Sequence, residues 1–149
     1  MSNTRKATHN DTKNIVDFLQ RYHEDGSNLS DIPFDRGTMA RAIDHYIAYP
    51  KHVVFIHEKD GEIKGVLAAS VEPFMFNAKR KWATDLLNVA EEGGLWLIKK
   101  FLKWAELYKV DRVFMGISTG IERSERLYEA VGLERVGGFY MQTFNEEQS

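Results

Sequence analysis

Val54-Phe55-Ile56-His57-Glu58-Lys59-Asp60-Gly61-Glu62-Ile63-Lys64-Gly65 reads as two strands meeting at a turn. Asp-Gly supplies the positive φ that tight hairpins require, so residues 52–58 and 63–71 should pair antiparallel. On the N-terminal side of this hairpin, residues 4–8 suggest a short first strand, and Asn10-Asp11 is an N-cap pair. Ile15, Val16, Phe18, Leu19 and Tyr22 then recur at helical spacing as far as Gly26. A second helix is expected over about 35–49, with Met39, Ile43, Tyr46 and Ile47 as its apolar stripe and Pro50 as its stop. Both stripes need a sheet to cover them.

On the C-terminal side, residues 73–81 read as a connection rich in aromatic and basic side chains, and 82–89 as another strand. Gly93-Gly94 opens the strongest helix of the chain, running to about Tyr108. Leu97, Ile98, Phe101, Ala105 and Tyr108 form its inner stripe, with Lys99, Lys100, Lys103 and Glu106 outside. Residues 112–118 read as a buried strand. A short helix carrying Ser124, Leu127, Tyr128 and Val131 ends on Gly132, and two closing strands are expected at 133–136 and 139–144. The order is β-α-α-β-β-β-α-β-α-β-β, with no internal repeat.

Composition narrows the function. One domain spanning 1–149 is expected, since 149 residues with 43% hydrophobic and 28% charged side chains can bury a single core. Twenty basic against 22 acidic residues leave a net charge of −2, which disfavours nonspecific nucleic-acid binding. There is no cysteine, so disulfides, thiolate nucleophiles and cysteine zinc sites are excluded. The five histidines show no ligand spacing, and no metal is expected. No apolar run approaches a membrane span and the start is polar, which points to a cytoplasmic protein with no membrane partner.

The element order and three local signatures resemble the GNAT (Gcn5-related N-acetyltransferase) family. Arg5-Lys6-Ala7-Thr8 followed by Asp11 is similar to the family's opening strand and helix start. The hairpin at 54–65 is similar to its second and third strands. Arg126-Leu127-Tyr128-Glu129-Ala130-Val131-Gly132-Leu133 resembles the Leu-Tyr-x-x-x-Gly-Phe segment that carries the family's tyrosine. The stretch 116–128, with Trp104-Ala105 and the closing 136–140, also resembles small GNAT proteins of tailed phages. The resemblance implies an α/β (α+β) fold with a mixed, mostly antiparallel sheet of six to seven strands. It also implies four flanking helices and a splayed fourth and fifth strand.

It implies a chemistry as well, with acetyl-CoA as co-substrate. Its pantetheine arm would lie between strands 82–89 and 112–118, touching Leu87, Val89 and Ser124. Its pyrophosphate would sit at Gly93, Gly94 and Leu95, where a helix N-terminus favours anions. The family's loop reads Arg/Gln-x-x-Gly-x-Gly/Ala, whereas this chain has Glu91-Glu92-Gly93-Gly94 with no Arg or Gln. Two carboxylates suit a helix start but would repel a pyrophosphate. Tyr128 is the expected general acid, because a phenol with pKa near ~10 can protonate a departing thiolate. Read without the resemblance, it is a core tyrosine on an amphipathic helix.

Asp85 is the expected general base. It shares the parity of Val89, the side where many relatives carry a carboxylate; Glu72 and His57 are weaker candidates. Phe74, Phe76 and Trp82 frame the segment that borders the acceptor in relatives, and they are either an aromatic acceptor pocket or packing beneath a loop. The acceptor would be a primary amine on a small molecule or a protein. The alternative is a GNAT-fold module without catalysis, binding a phage-particle or host protein. An exposed last strand could pair across a two-fold axis to give a homodimer.

Overall fold

The computed structural model describes residues 1–117 and 121–144. Its elements are β1 (Ser2–Lys6), α1 (Thr12–Gly26), α2 (Arg36–Ala48), β2 (His52–Lys59), β3 (Glu62–Phe74), β4 (Asn77–Ala90), α3 (Gly94–Leu107), β5 (Arg112–Phe114) and α4 (Ile121–Ala130). Among the described residues they form one five-stranded sheet in the order β1-β2-β3-β4-β5. Strands β1 to β4 pair antiparallel in succession, and β5 is parallel to β4.

The hairpin that opened the reading is present. Asp60 (φ 53°) and Gly61 (φ 82°) both take positive φ between β2 and β3, which matches the right-handed twist of the flanking strands. Both faces of these strands are covered, so their residues alternate between two cores. Val54, Ile56, Val66 and Ala68 pack against Ile15, Phe18 and Leu19 of α1 and Ile43 of α2. Val53, Phe55, Leu67, Ala69, Val71 and Ala83 pack against Leu97, Phe101, Trp104 and Ala105 of α3. Cover on both faces is why the strands read as nearly unbroken apolar runs.

Three expectations need correction. Residues 73–81 are not a connection, because β3 runs to Phe74 and β4 begins at Asn77. A register shift between Pro73 and Phe74 accommodates a residue that has no N–H to give a ladder. The first strand lies at Ser2–Lys6 instead of 4–8. Among the described residues the expected six to seven strands are five, and 133–136 and 139–144 join no ladder there. Gly137-Gly138 separates these short runs, and β5 offers only three residues to pair with. Val136, Phe139, Tyr140 and Phe144 are left largely exposed. The expected fifth strand is likewise short, ending at Phe114, and its far end at 118 lies outside the described residues.

Candidate active site

Two irregularities in β4 build the site. The first is the end of its pairing with β5, which among the described residues covers Trp82–Arg112, Ala83–Val113 and Thr84–Phe114. The second is a bulge on the other edge. Ala69 pairs with Asp85 and Ala68 with Leu87, so Leu86 is the extra residue. The bulge exchanges the faces of the strand. Before it, Ala83 and Asp85 share the α3 face with Val71 and Ala69; after it, that face belongs to Asn88, the partner of Leu67. Leu87 and Val89 turn to the α1–α2 face with Ala68 and Val66. The expected parity of Asp85 with Val89 is therefore wrong, since one inserted residue breaks the two-residue period.

On the α3 side, where β5 has diverged, side chains take over the backbone groups a ladder would have used. The Gly116 N–H donates to Asp85 Oδ1 (3.2 Å), and the Tyr128 hydroxyl donates to the Gly116 carbonyl (2.8 Å). Asn88 Nδ2 in turn donates to the Tyr128 hydroxyl oxygen (3.4 Å). Burial pushes the Asp85 carboxyl up to about 6, against the opposing pull of the Gly116 N–H. Burial also raises the Tyr128 phenol above its ordinary value, the Asn88 hydrogen bond opposing and the Asp85 charge adding to it. A carboxyl with a raised pKa thus stands across one residue's backbone from a phenol whose pKa is also raised.

The loop between β4 and α3 is pinned from below. A bulge in the β2–β3 ladder leaves Lys64 without a β2 partner. Its carbonyl accepts from the amides of Glu91 (2.8 Å) and Glu92 (3.2 Å). Gly93 then enters α3 with φ 81°. A Cβ there would lie 2.2 Å from Cγ of His57, a buried ring whose Nδ1 is hydrogen-bonded to Thr4 Oγ1 (2.6 Å). The first intrahelical bond runs from the Leu97 amide to the Gly93 carbonyl, so the amides of Gly94, Leu95 and Trp96 precede it and are open to an anion. Both acidic side chains are drawn aside: Glu91 Oε1 lies 3.8 Å from Arg21 on α1, and Glu92 Oε2 lies 3.4 Å from Lys59 on β2.

Between this helix start and α4 lies a cleft of about 220 Å³, lined by Tyr22, Asn88, Val89, Ala90, Gly94, Ile98, Arg123, Ser124, Leu127 and Tyr128. Of the residues expected at a cofactor or in catalysis, Val89, Gly94, Ser124 and Tyr128 stand on its wall. Asp85 sits beyond Gly116, Gly93 and Leu95 at the helix start, and Leu87 in the α1–α2 core. Phe74, Phe76 and Trp82 come together at the far end of β4, with ring centroids 5.1 Å (Phe74–Phe76) and 6.3 Å (Phe74–Trp82) apart. The sequence reading missed Phe114, whose ring meets Trp82 at 5.4 Å, and also Asn88 and Arg123. Only Arg123 left a signal, as a basic residue in the first turn of a helix. Among the described residues no group of His, Asp or Glu is placed to hold a metal ion, and no helix is long and apolar enough to cross a membrane.

No protein-family model matches the chain, and no curated protein matches it by sequence. Solved structures do. A GNAT-family acetyltransferase from Streptococcus pneumoniae superposes with TM-score 0.73 at 18% identity, covering 97% of this chain and 94% of that one. Glucosamine-6-phosphate N-acetyltransferase from Arabidopsis thaliana gives 0.74 at 15% identity, with 97% and 99% covered. A predicted acetyltransferase from Clostridium acetobutylicum, solved with acetyl-CoA, gives 0.72 at 15% identity, with 96% of each chain covered. The fold is that of the GNAT acetyltransferases. Tyr128 stands on the wall of the cleft beside β4, beyond the three residues at which β4 pairs with β5.

Proposed function

We propose that this chain is an N-acyltransferase that moves an acetyl group from acetyl-CoA to a primary amine, by direct attack within a ternary complex. The observation that carries the reading is the backbone of Gly116 held between Asp85, at its N–H, and Tyr128, at its carbonyl, just past the paired part of β5. The residues fit the co-substrate. Among the described residues the edge of β4 beyond Thr84 has no β5 partner, which suits an amide-bearing arm, and Val89, Asn88 and Ser124 border the same opening. The amides at the start of α3 suit its phosphates.

Asp85 would take the proton that the ammonium must lose before attack, directly or through water. Attack makes a C–N bond at the thioester carbonyl, and collapse of the tetrahedral intermediate breaks the C–S bond. Tyr128 would then release its hydrogen bond to Gly116 and give its proton to the leaving thiolate, and the second proton that the nitrogen sheds in becoming an amide would pass through water to restore the phenol. The aromatic group Phe74, Phe76, Trp82 and Phe114 would form an apolar floor for the acceptor. Amino sugars are a reasonable first class to try, because the Arabidopsis neighbour is a glucosamine-6-phosphate N-acetyltransferase.

The test is a calorimetric or thermal-shift titration with acetyl-CoA, followed by CoA release with a panel of amines. Ligand at 100 times its dissociation constant should add about 2.7 kcal/mol of stability. A protein that shows no such binding is not an acetyltransferase, and a non-catalytic binding module becomes the better description.

A further inference from the structure

The loop at residues 89–95 contains two acidic residues and no basic one. The two cations that flank it, Arg21 and Lys59, are engaged by Glu91 and Glu92. Arg123 is placed differently. It projects from α4 onto the wall of the cleft, opposite the start of α3, and its Nη2 donates to the Glu91 carbonyl at 3.4 Å. Among the described residues it has no carboxylate partner. Its position also costs the helix something, because a positive charge in the first turn of α4 opposes the helix dipole. A residue that works against its own helix, faces a cleft and makes one long hydrogen bond to a carbonyl has little structural return. An anion in the cleft would reverse the sign of that cost.

We infer that Arg123 is the phosphate-binding cation of this chain, supplied from α4 in place of a basic residue in the loop. It recognises the diphosphate of the acyl donor, and the inference rests on the acetyl-CoA reading above. On binding, its guanidinium exchanges the Glu91 carbonyl for a phosphate oxygen, a charge-assisted bond that is shorter and stronger. The amides of Gly94, Leu95 and Trp96 face the same group. Arg21 and Lys59 complete the arrangement by holding the two loop carboxylates outward.

The experiment compares the parent with Arg123→Ala, Arg123→Lys and Arg126→Ala, titrating each with acetyl-CoA, its 3′-dephospho form and S-acetylpantetheine. Arg126 lies on the same helix, exposed and off the cleft wall, so its loss controls for a general change of field. Arg123→Ala is expected to weaken acetyl-CoA and the dephospho form at least tenfold and equally. S-acetylpantetheine, which has no phosphate, should bind all four proteins alike. Lysine should recover part of the loss, and Arg126→Ala should stay within twofold. Unliganded Arg123→Ala should melt no lower than the parent, which a merely structural arginine would not allow. Unchanged acetyl-CoA binding in Arg123→Ala overturns the inference, as does an equal loss for S-acetylpantetheine. A loss confined to the form bearing the 3′-phosphate overturns the assignment to the diphosphate. Failure of the parent to bind acetyl-CoA overturns the acetyltransferase reading itself, whereas parent binding with no effect at Arg123 removes this inference alone.

Discussion

The two edges of β4 have opposite fates. Against β3 it is paired from Asn77 to Ala90, interrupted only by bulges, with apolar cover on both faces. Against β5 it is paired, among the described residues, for three residues. The closed edge is held in the core, whereas at the open edge the backbone groups of Gly116 are answered by the side chains of Asp85 and Tyr128, and Asn88 donates in turn to the Tyr128 hydroxyl. Under the proposed function, stability and chemistry divide between the two edges of one strand, and substitutions on its two sides should fail in different ways.

The sharpest division is expected at Tyr128. Tyr128→Phe keeps the ring but removes the proton, and turnover should fall by roughly 10²–10⁴-fold while acetyl-CoA affinity and melting temperature change little. Steady-state rates beside a calorimetric titration would decide this. A large loss of stability would put Tyr128 on the structural side of the comparison.

Gly93→Ala attacks the closed edge. A Cβ at φ 81° and 2.2 Å from His57 combines backbone strain with overlap, for roughly 2–5 kcal/mol in a denaturant melt. Gly61 has the same sign of φ but nothing within 4 Å, so Gly61→Ala should cost only the strain, about 1–2 kcal/mol. Equal costs at the two glycines would mean that the His57 contact relaxes freely.

Asp85 sits on the boundary, and pH reads it twice. Its carboxyl is held near 6, above the usual carboxylate range, so the folded chain binds more protons than the unfolded one between about pH 4 and 6. Its contribution to stability is therefore full below that window and lost as pH rises through it. Asp85→Asn, neutral at every pH, should be more stable than the parent above pH 6 by about 1–3 kcal/mol and equal to it near pH 4. Activity should run the other way: the parent's kcat/KM rises with pH to a plateau above about 6, and the variant loses that limb. Melts and rate profiles across pH 4–8 test both signs, and a parent profile flat across this range removes Asp85 as the base.

The smallest effect belongs to the acidic pair. Glu91 and Glu92 are turned to Arg21 and Lys59 and stand off the cleft wall. Changing both to Gln should tighten acetyl-CoA binding by only a few-fold, through the freed cations, and only at low salt. An effect as large as that of Arg123 would show the carboxylates swinging into the site.

The closed edge was the legible part of the sequence. Asp60-Gly61 dictates its own turn, and helical stripes such as Ile15 to Tyr22 announce the face they bury. The open edge was written less plainly. A bulge has no residue signature, so nothing at Leu86 warned that Asp85 and Val89 would part company, or that Asn88 would inherit the face of Asp85. The charge of Glu91-Glu92 was plain, but Arg21 and Lys59 reach it only through folding. Leu133, Val136, Phe139 and Met141 carry a strand's composition, and composition alone does not supply a neighbour to pair with.

The parallel pairing of β4 with β5 has a consequence for the order of events in folding. The meander of β2, β3 and β4 closes through short turns, so its contacts are local and can form early. β5 reaches its place only after α3 has crossed the sheet, and it is rewarded there with three paired residues. Amide protons of Val54, Ile56, Val66 and Ala68 should therefore exchange with solvent only on global unfolding. Those of Val113, Phe114 and Gly116 should exchange through a smaller local opening. A strand held by three paired residues should open before the meander does, so one wall of the proposed acyl-donor site would be the hinge on which it breathes.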